Sequence, residues 1–202
     1  MNILYTASEA LPFIASGGLA DVAGSLPRAI NEEGNDCRVV IPYYGQIKQE
    51  LKDKCSYLTN FTVPVAWRNQ YCGVFTAVVN GVTYYLLDNE YYFARNGLYG
   101  FYDDAERYIF FSRAVLEMIP YIDFKPDIIH CHGGRANLMG AMVRRSRQVP
   151  IVTTVHSDYR LDYLGSPLKQ YTLGTANAIA LRFLDFYQPV ADRMARTLIE
   201  RG

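Results

Sequence analysis

The sequence predicts an α/β fold in which a mostly parallel, doubly wound sheet carries helices on both faces. Short apolar segments typical of buried strands alternate with longer segments that have the apolar periodicity of amphipathic helices. A glycine pair, Gly17-Gly18, connects the first strand to the first helix. An Asn-Gly dipeptide at 80–81 lies between two apolar segments and predicts a hairpin, so we expect one β-hairpin excursion among the parallel units.

The first part of the chain supplies two strands and a helix. Asn2–Ala7 is an apolar strand, and Leu19–Ile30 is predicted as a helix because its apolar residues recur at helical spacing. Pro27 lies inside this helix and is expected to kink it or end it early. Gly34 then leads into a second strand, Cys37–Ile41.

The middle of the chain interrupts this alternation. Residues 56–88 are rich in β-forming residues and are interpreted as the excursion. Residues 89–102 are expected to form a loop dense in aromatic side chains. Asp103 is expected to cap the following helix, with Glu106 completing a pair that resembles a capping box.

The last part returns to strands and helices. It contains the predicted strands Asp127–Cys131 and Ile151–Val155, with a helix over about 133–145 between them. Two helices, about Gln170–Phe186 and Ala191–Glu200, close the chain. We expect the whole chain to form one domain.

Composition excludes several classes of protein. Among the 202 residues, 20 basic side chains balance 20 acidic ones, so no net field favours nucleic acid or an acidic membrane surface. No apolar run reaches transmembrane length, and no basic segment precedes an apolar one at the N-terminus as in a signal peptide. The four cysteines have no Cys-x-x-Cys spacing, which favours reduced thiols. We therefore expect a cytoplasmic protein.

The glycine pair is the first candidate site. A glycine-rich loop at a helix N-terminus lets backbone N–H groups approach an anion closely, and the helix dipole adds to the attraction. This favours a phosphate or a sugar oxygen beside Gly17 and Gly18. The alternative is a tight turn that needs glycine only for its dihedral angles. Asp21 lies in the first turn of the same helix, where the dipole favours a carboxylate.

The three histidines are expected at the carboxyl ends of strands, where open α/β sheets bind ligands. His130 and His132 end one predicted strand, and His156 ends the next. Such a side chain either meets a sugar hydroxyl or developing charge, or simply ends a strand near water. Alternation places Cys131 on the face opposite the two histidines, and no fourth ligand is indicated, so we expect no metal site.

Tyrosine is unusually frequent, with 17 residues against a single tryptophan. Tyrosine rings stack on sugar faces while their hydroxyls bond outward, but they are equally typical of strands and domain contacts. Tyr92 and Tyr99 are the candidates for contact with a carbohydrate.

Two arginines of the same region are interpreted as structural. Arg95 and Arg107 are expected to orient the aromatic loop through a carboxylate such as Asp103 or Asp104. The sequence also lacks a Ser-His-Asp order, a pair of general-acid carboxylates and a Walker loop.

Two blocks of this sequence resemble the amino-terminal part of bacterial glycogen synthases and plant starch synthases. The first comprises Ser8-Glu9, Pro12, Gly17-Gly18-Leu19-Ala20-Asp21-Val22 and Leu26-Pro27. The second comprises Tyr91-Tyr92-Phe93-Ala94-Arg95-Asn96-Gly97-Leu98-Tyr99-Gly100, Asp104, Glu106-Arg107 and Phe110-Phe111-Ser112-Arg113-Ala114. Two blocks in the right order are far more specific than either alone.

The resemblance implies one half of a GT-B glycosyltransferase. This Rossmann-like N-terminal domain would be joined, in the full enzyme, to a second Rossmann-like domain that is absent from this chain and holds most nucleotide contacts. The implied reaction moves glucose from ADP-glucose, or another nucleotide sugar, to the non-reducing end of an α-1,4-glucan with retention. It implies no cofactor and no metal.

The resemblance also implies roles for individual residues. Carried onto the matching positions, these are donor-binding Ser16, Gly17 and Gly18, catalytic His156 and Asp21, and sugar-contacting Tyr92, Tyr99 and His132. His156 would face the transferred sugar, and the tyrosine-rich loop would face the acceptor.

The sequence departs from the family pattern in two places. Ala15-Ser16 replaces the usual Lys-Thr before the glycine pair, which removes a cation expected beside the donor phosphates. From about residue 130 the chain looks more like the broad GT4 group, which predicts a natural hybrid lineage or a chimera. The alternatives are a non-catalytic carbohydrate-binding module and a GT4 enzyme with another sugar nucleotide and acceptor.

Overall fold

The computed structural model describes residues 1–132, 149–155 and 184–201. Within these residues the strands are β1 Asn2–Ala7, β2 Asp36–Pro42, β3 Ser56–Val65, β4 Arg68–Val79, β5 Val82–Asp88, β6 Ile128–His132, β7 Ile151–Val155 and β8 Phe186–Pro189. The helices are α1 Gly18–Glu32, α2 Gln49–Lys52, α3 Glu90–Phe93, α4 Asp104–Met118 and α5 Asp192–Arg201, and a 3₁₀ turn spans Ile119–Tyr121.

The strands form one eight-stranded sheet in the order β3-β4-β5-β2-β1-β6-β7-β8. The strands from β5 to β8 along this order pair in parallel, whereas β3 and β4 pair antiparallel. In chain order, β2 is added on one side of β1, and β6 is added later on the other side. The predicted doubly wound sheet is confirmed, and its strand order reverses between β1 and β6.

The predicted hairpin is also confirmed. Asn80 and Gly81 connect β4 to β5 with positive φ values of 51° and 75°, as a two-residue type I′ turn requires. Since β5 itself runs parallel to β2, the excursion amounts to the β3–β4 pair added at one edge of the sheet.

Helix α1 continues through Pro27 to Glu32, so the expected early end is wrong. The side chain of Pro27 is buried on the same face as Ala20 and Ala23. Proline has no backbone N–H to donate, so one helical hydrogen bond is missing. The packing of this face against the sheet compensates for that loss and keeps the helix continuous.

The capping box predicted for α4 is wrong, although the helix begins where expected. Asp103 occupies the N-cap position, but its side chain makes no capping hydrogen bond. It binds Arg95 instead, and Glu106 binds Arg68. Guanidinium groups from other segments bind both carboxylates, and in these pairs the donor and the acceptor are both charged, whereas a backbone amide is a neutral donor. The buried face of α4 includes Phe110, Phe111, Ala114, Val115 and Met118.

The C-terminal part differs in one element. Phe186 was expected to end a helix, but it begins β8, a strand of four residues that pairs with β7. The earlier part of that predicted helix, and the helix predicted over about 133–145, lie outside the described residues. Helix α5 matches the last predicted helix to within a residue at each end. None of the helices that the structure describes has both the length and the apolar character needed to cross a membrane.

Candidate active site

The carboxyl ends of β1 and β6 meet at the point where the strand order reverses. The last residue of β1, Ala7, pairs with His132, the last residue of β6. Residues 8–17 then form the loop that leads from β1 into α1. Open α/β sheets bind ligands in the crevice at such a switch point, so this loop and His132 define the candidate site.

The loop is held closed by interactions that cross it. Glu9 is 3% exposed, and its Oε2 accepts a 2.5 Å hydrogen bond from the backbone N–H of Ser16. The N–H of Leu11 donates to the carbonyl of Ala20 in the first turn of α1 at 3.1 Å. A Cβ at Gly24 would lie 2.8 Å from the Leu11 carbonyl oxygen, so this glycine permits the helix to approach the loop closely.

No close approach of this kind explains why glycine occupies positions 17 and 18. Gly17 is the N-cap of α1 with φ −174°, which is extended backbone that any residue adopts, and no side chain caps the helix. A Cβ built on either glycine meets nothing within 4 Å among the residues that the structure describes. Neither glycine has a positive φ, so the turn alternative does not account for the pair. Within the described residues, no side chain caps the N-terminus of α1.

The other candidates of this loop lie beside the glycine pair. Ser16 precedes it and Asp21 follows it in the first turn of α1, and both side chains are exposed. The structure thus brings Ser16, Gly17, Gly18 and Asp21 together on one exposed edge of the crevice.

The histidines occupy deeper positions. His132 is 1% exposed, and its ring centroid lies 5.3 Å from that of Tyr5 and 6.2 Å from that of His130. His130 Nε2 lies 2.7 Å from Thr154 Oγ1, within the sheet. Burial raises the pKa of the Cys131 thiol to about 12. His156 lies outside the described residues, as do Gly133 and Gly134. No group of three or more potential metal ligands occurs in the part of the chain that the structure describes.

Tyr99 reaches the site and Tyr92 does not. The hydroxyl of Tyr99 lies 2.8 Å from Ser8 Oγ, directly after β1. The ring of Tyr92 is fully buried, 4.9 Å from the Phe110 ring, and its hydroxyl donates to Glu106 at 2.5 Å. A ring with no exposed face cannot stack on a sugar, so the predicted sugar contact of Tyr92 is corrected to a structural role.

Arg95 and Arg107 fix residues 89–102, the aromatic segment, onto α4. Arg95 donates to both carboxylate oxygens of Asp103, at 2.6 and 2.7 Å, and thereby lowers the pKa of Asp103. Arg107 is fully buried and donates to Asp104 Oδ1 at 2.6 Å and to the Tyr92 carbonyl at 2.7 Å. The predicted structural role of both arginines is confirmed.

Sequence reasoning missed two tyrosines that support the site. Tyr44, two residues after β2, donates its hydroxyl hydrogen to the carbonyl of Ser8 at 2.8 Å. Tyr108 of α4 places its hydroxyl 3.0 Å from that of Tyr44. A signal existed for Tyr108, because it falls on the inward face of α4 at helical spacing from Phe111.

A family model described as the starch synthase catalytic domain matches residues 2–192. The glycogen synthase of Bacillus cereus (strain B4264) is 46% identical over 169 residues, which cover 82% of this chain and 36% of that protein. The glycogen synthase of Desulforamulus reducens is 43% identical over 199 residues, which cover 95% of this chain and 42% of that protein. That of Clostridium botulinum (strain Alaska E43 / Type E3) is 54% identical over 144 residues, 71% of this chain and 30% of the relative.

Two solved structures share the fold. The catalytic domain of starch synthase IV from Arabidopsis thaliana, described as bound to ADP and acarbose, aligns with a TM-score of 0.70 at 25% identity and covers 77% of this chain and 34% of its own. Sucrose-phosphate synthase from Thermosynechococcus elongatus aligns with a TM-score of 0.64 at 12% identity and covers 98% of this chain and 44% of its own. These likenesses confirm the expected half of a GT-B fold.

The chain spans less than half the length of the curated relatives it matches. The family match continues far beyond residue 130, so the change of pattern there is not a boundary between two families. The expectation of a hybrid or chimera is corrected accordingly. The chain belongs to the starch synthase catalytic domain family, together with the bacterial glycogen synthases that it resembles.

Proposed function

We propose that this chain is the N-terminal domain of a retaining glycosyltransferase that moves glucose from ADP-glucose to the non-reducing end of an α-1,4-glucan. The relatives named glycogen synthase support this reaction, as does the Arabidopsis starch synthase described with ADP and acarbose. Since this chain covers only 36% and 42% of two of those relatives, a second Rossmann-like domain outside it would supply most nucleotide contacts.

The observation that carries this proposal is the open glycine pair at the N-terminus of α1. When the sugar–phosphate bond of the donor breaks, negative charge grows on the departing nucleotide diphosphate. Uncapped N–H groups and the positive end of a helix dipole stabilise such charge. Gly17 and Gly18 keep this surface free of side-chain atoms, since nothing in the described part of the chain occupies that space. With backbone amides and basic groups in this role, we propose that transfer uses no metal and no organic cofactor.

The remaining candidates receive roles consistent with their positions. Ser16 and Asp21 flank the donor surface, and His156 follows β7 and would face the transferred glucose. Tyr99 lies beside Ser8 and would line the acceptor side of the crevice. The ring of His132 is buried. A direct contact between His132 and a sugar stays a prediction.

Ala15 leaves the donor surface without the cation that the family usually carries there. The residue is exposed, next to Ser16 and the glycine pair. We infer that phosphate binding in this protein depends more strongly on the backbone amides. The cysteines of the described residues are free thiols, which supports a reducing, cytoplasmic setting.

The test is ADP release by the full-length protein that contains this chain, supplied with ADP-glucose and glycogen. We expect release that requires both substrates, and weaker activity with UDP-glucose. The 202-residue chain alone is expected to fold but to release no ADP above the blank. Glycogen binding without transfer by the full-length protein would favour the carbohydrate-binding module instead, and preference for another nucleotide sugar would favour the GT4 alternative.

A further inference from the structure

Three separate segments meet through buried hydroxyl groups just behind the candidate site. They are the residue after β1, the residues after β2, and the aromatic segment with the helix α4 that follows it. Tyr44 is 1% exposed and Tyr108 is 5% exposed. The Tyr44 hydroxyl lies 2.8 Å from the Ser8 carbonyl oxygen and 3.0 Å from the Tyr108 hydroxyl, which in turn lies 2.9 Å from the Leu98 carbonyl oxygen.

Both phenols have a carbonyl acceptor. Tyr44 donates to the Ser8 carbonyl, and Tyr108 donates to the Leu98 carbonyl, which also accepts a 2.9 Å hydrogen bond from Arg107 Nη1. The two hydroxyl oxygens lie within hydrogen-bonding distance of each other, and either hydroxyl can be the donor in that contact. Burial raises the pKa of Tyr44 well above its ordinary value, so it remains a donor at neutral pH.

These hydrogen bonds continue into residues 8–17, the loop between β1 and α1, which we call the donor loop. Ser8 is followed by Glu9, whose carboxylate holds the N–H of Ser16 next to the glycine pair. A shift of the Ser8 carbonyl would therefore displace Glu9 and, through it, the backbone that faces the donor. On the other side, Tyr108 and Leu98 belong to the region that carries Tyr99.

We propose that Tyr44 is a positioning residue, which orients the donor loop through Ser8 and couples it, through Tyr108, to the aromatic segment. This inference rests on the proposed function, because it assumes that the loop binds ADP-glucose. It assigns Tyr44 no contact with either substrate. The defect caused by loss of its hydroxyl should therefore appear in donor binding, while the fold persists.

The experiment compares Tyr44→Phe with Tyr85→Phe in the full-length protein that contains this chain. Tyr85 is the matched control, because it is also buried and its hydroxyl accepts a 2.8 Å hydrogen bond, from Arg38 rather than from the site. We expect Tyr44→Phe to raise the KM for ADP-glucose about fivefold, with a smaller change in kcat. Tyr85→Phe should lower the Tm to a similar degree and leave that KM unchanged.

The same measurement on Tyr108→Phe and on the double variant tests the coupling. If Tyr108 acts through Tyr44, the double variant will match Tyr44→Phe to within about twofold, because residues that act as one unit are not additive. Tyr108→Phe also carries the test if Tyr44→Phe folds poorly. An unchanged KM for ADP-glucose in both single variants, or fully additive effects on that KM in the double variant, would overturn this inference but not the proposed function. A wild-type protein that transfers no glucose would overturn the proposed function and this inference with it.

Discussion

The buried carboxylate of Glu9 accepts a 2.5 Å hydrogen bond from the backbone N–H of Ser16 and closes the loop between β1 and α1. The two residues are separated by a turn that includes the close approach of Leu11 to Gly24. This bond orients the peptide that immediately precedes the glycine pair. The geometry of the donor surface therefore depends on a residue that the donor itself need not touch.

Glu9→Ala is expected to destabilise the chain by about 1–3 kcal/mol, since the Ser16 amide loses its buried acceptor. Glu9→Gln keeps an oxygen of the same reach and should retain most of the stability. Urea unfolding of both variants measures the difference. Equal midpoints for Glu9→Ala and the wild type would show that the bond does not hold the loop.

Arg107→Met is expected to cost about 3–5 kcal/mol of stability, because it removes a fully buried guanidinium that binds Asp104 and the carbonyls of Tyr92 and Leu98. Arg113→Met is the control, since its ion pair with Glu117 is partly exposed and such a pair contributes about 0.3–0.5 kcal/mol. Denaturant midpoints of the two variants should differ clearly. Similar midpoints would contradict the assignment of Arg107 as the anchor of the aromatic segment.

Acid is expected to weaken the attachment of the aromatic segment. The hydrogen bonds from Arg95 lower the pKa of Asp103 in the folded protein below its ordinary 3.8. The stability from this pair is therefore complete above about pH 4 and is lost as the pH falls through the folded pKa, because the unfolded chain binds the proton first. Asp103→Asn should flatten the decline of the urea midpoint below about pH 4. An identical decline in both proteins would rule out this contribution.

Ala15→Lys is expected to strengthen donor binding, because it adds a cation beside the uncapped N-terminus of α1. The gain should shrink as salt rises, since counterions screen an exposed charge. Ala15→Gln has a long side chain without the charge and should give no salt-dependent gain. Titration of ADP-glucose binding at low and at physiological salt separates the two. A gain shared by Lys and Gln would mean that contact area, not charge, is responsible.

Local chemistry explains which parts of the fold the sequence could predict. The hairpin followed from Asn80 and Gly81, because the positive φ of a type I′ turn is a property of those two residues alone. The early end of α1 at Pro27 failed because tertiary packing of the buried face outweighed a local preference. Strand β8 was missed because Phe186–Pro189 has little buried surface and forms by pairing with β7, which no local pattern records.

The candidate site was likewise predictable only in part. The position of the glycine pair was predictable, because it follows a strand and opens a helix. The roles of Asp103 and Glu106 were not, because their partners Arg95 and Arg68 come from other segments, 8 and 38 residues away along the chain. Tyr92 was misassigned because composition shows that a tyrosine is present but not which way its ring faces. Tyr44 was missed for a related reason, since its partner Ser8 lies 36 residues away.

The most direct test of the account measures ADP release from ADP-glucose and glycogen for Gly18→Ala and Gly24→Ala in the full-length protein that contains this chain. A Cβ at Gly18 meets nothing in the described part of the chain, so this variant should keep the wild-type Tm and lose transfer. A Cβ at Gly24 would clash with Leu11, so that variant should lose about 1–3 kcal/mol of stability, and its lowered Tm shows what substitution of a structurally required glycine does. Wild-type transfer and wild-type KM for ADP-glucose in Gly18→Ala would contradict the assignment of this loop to the donor.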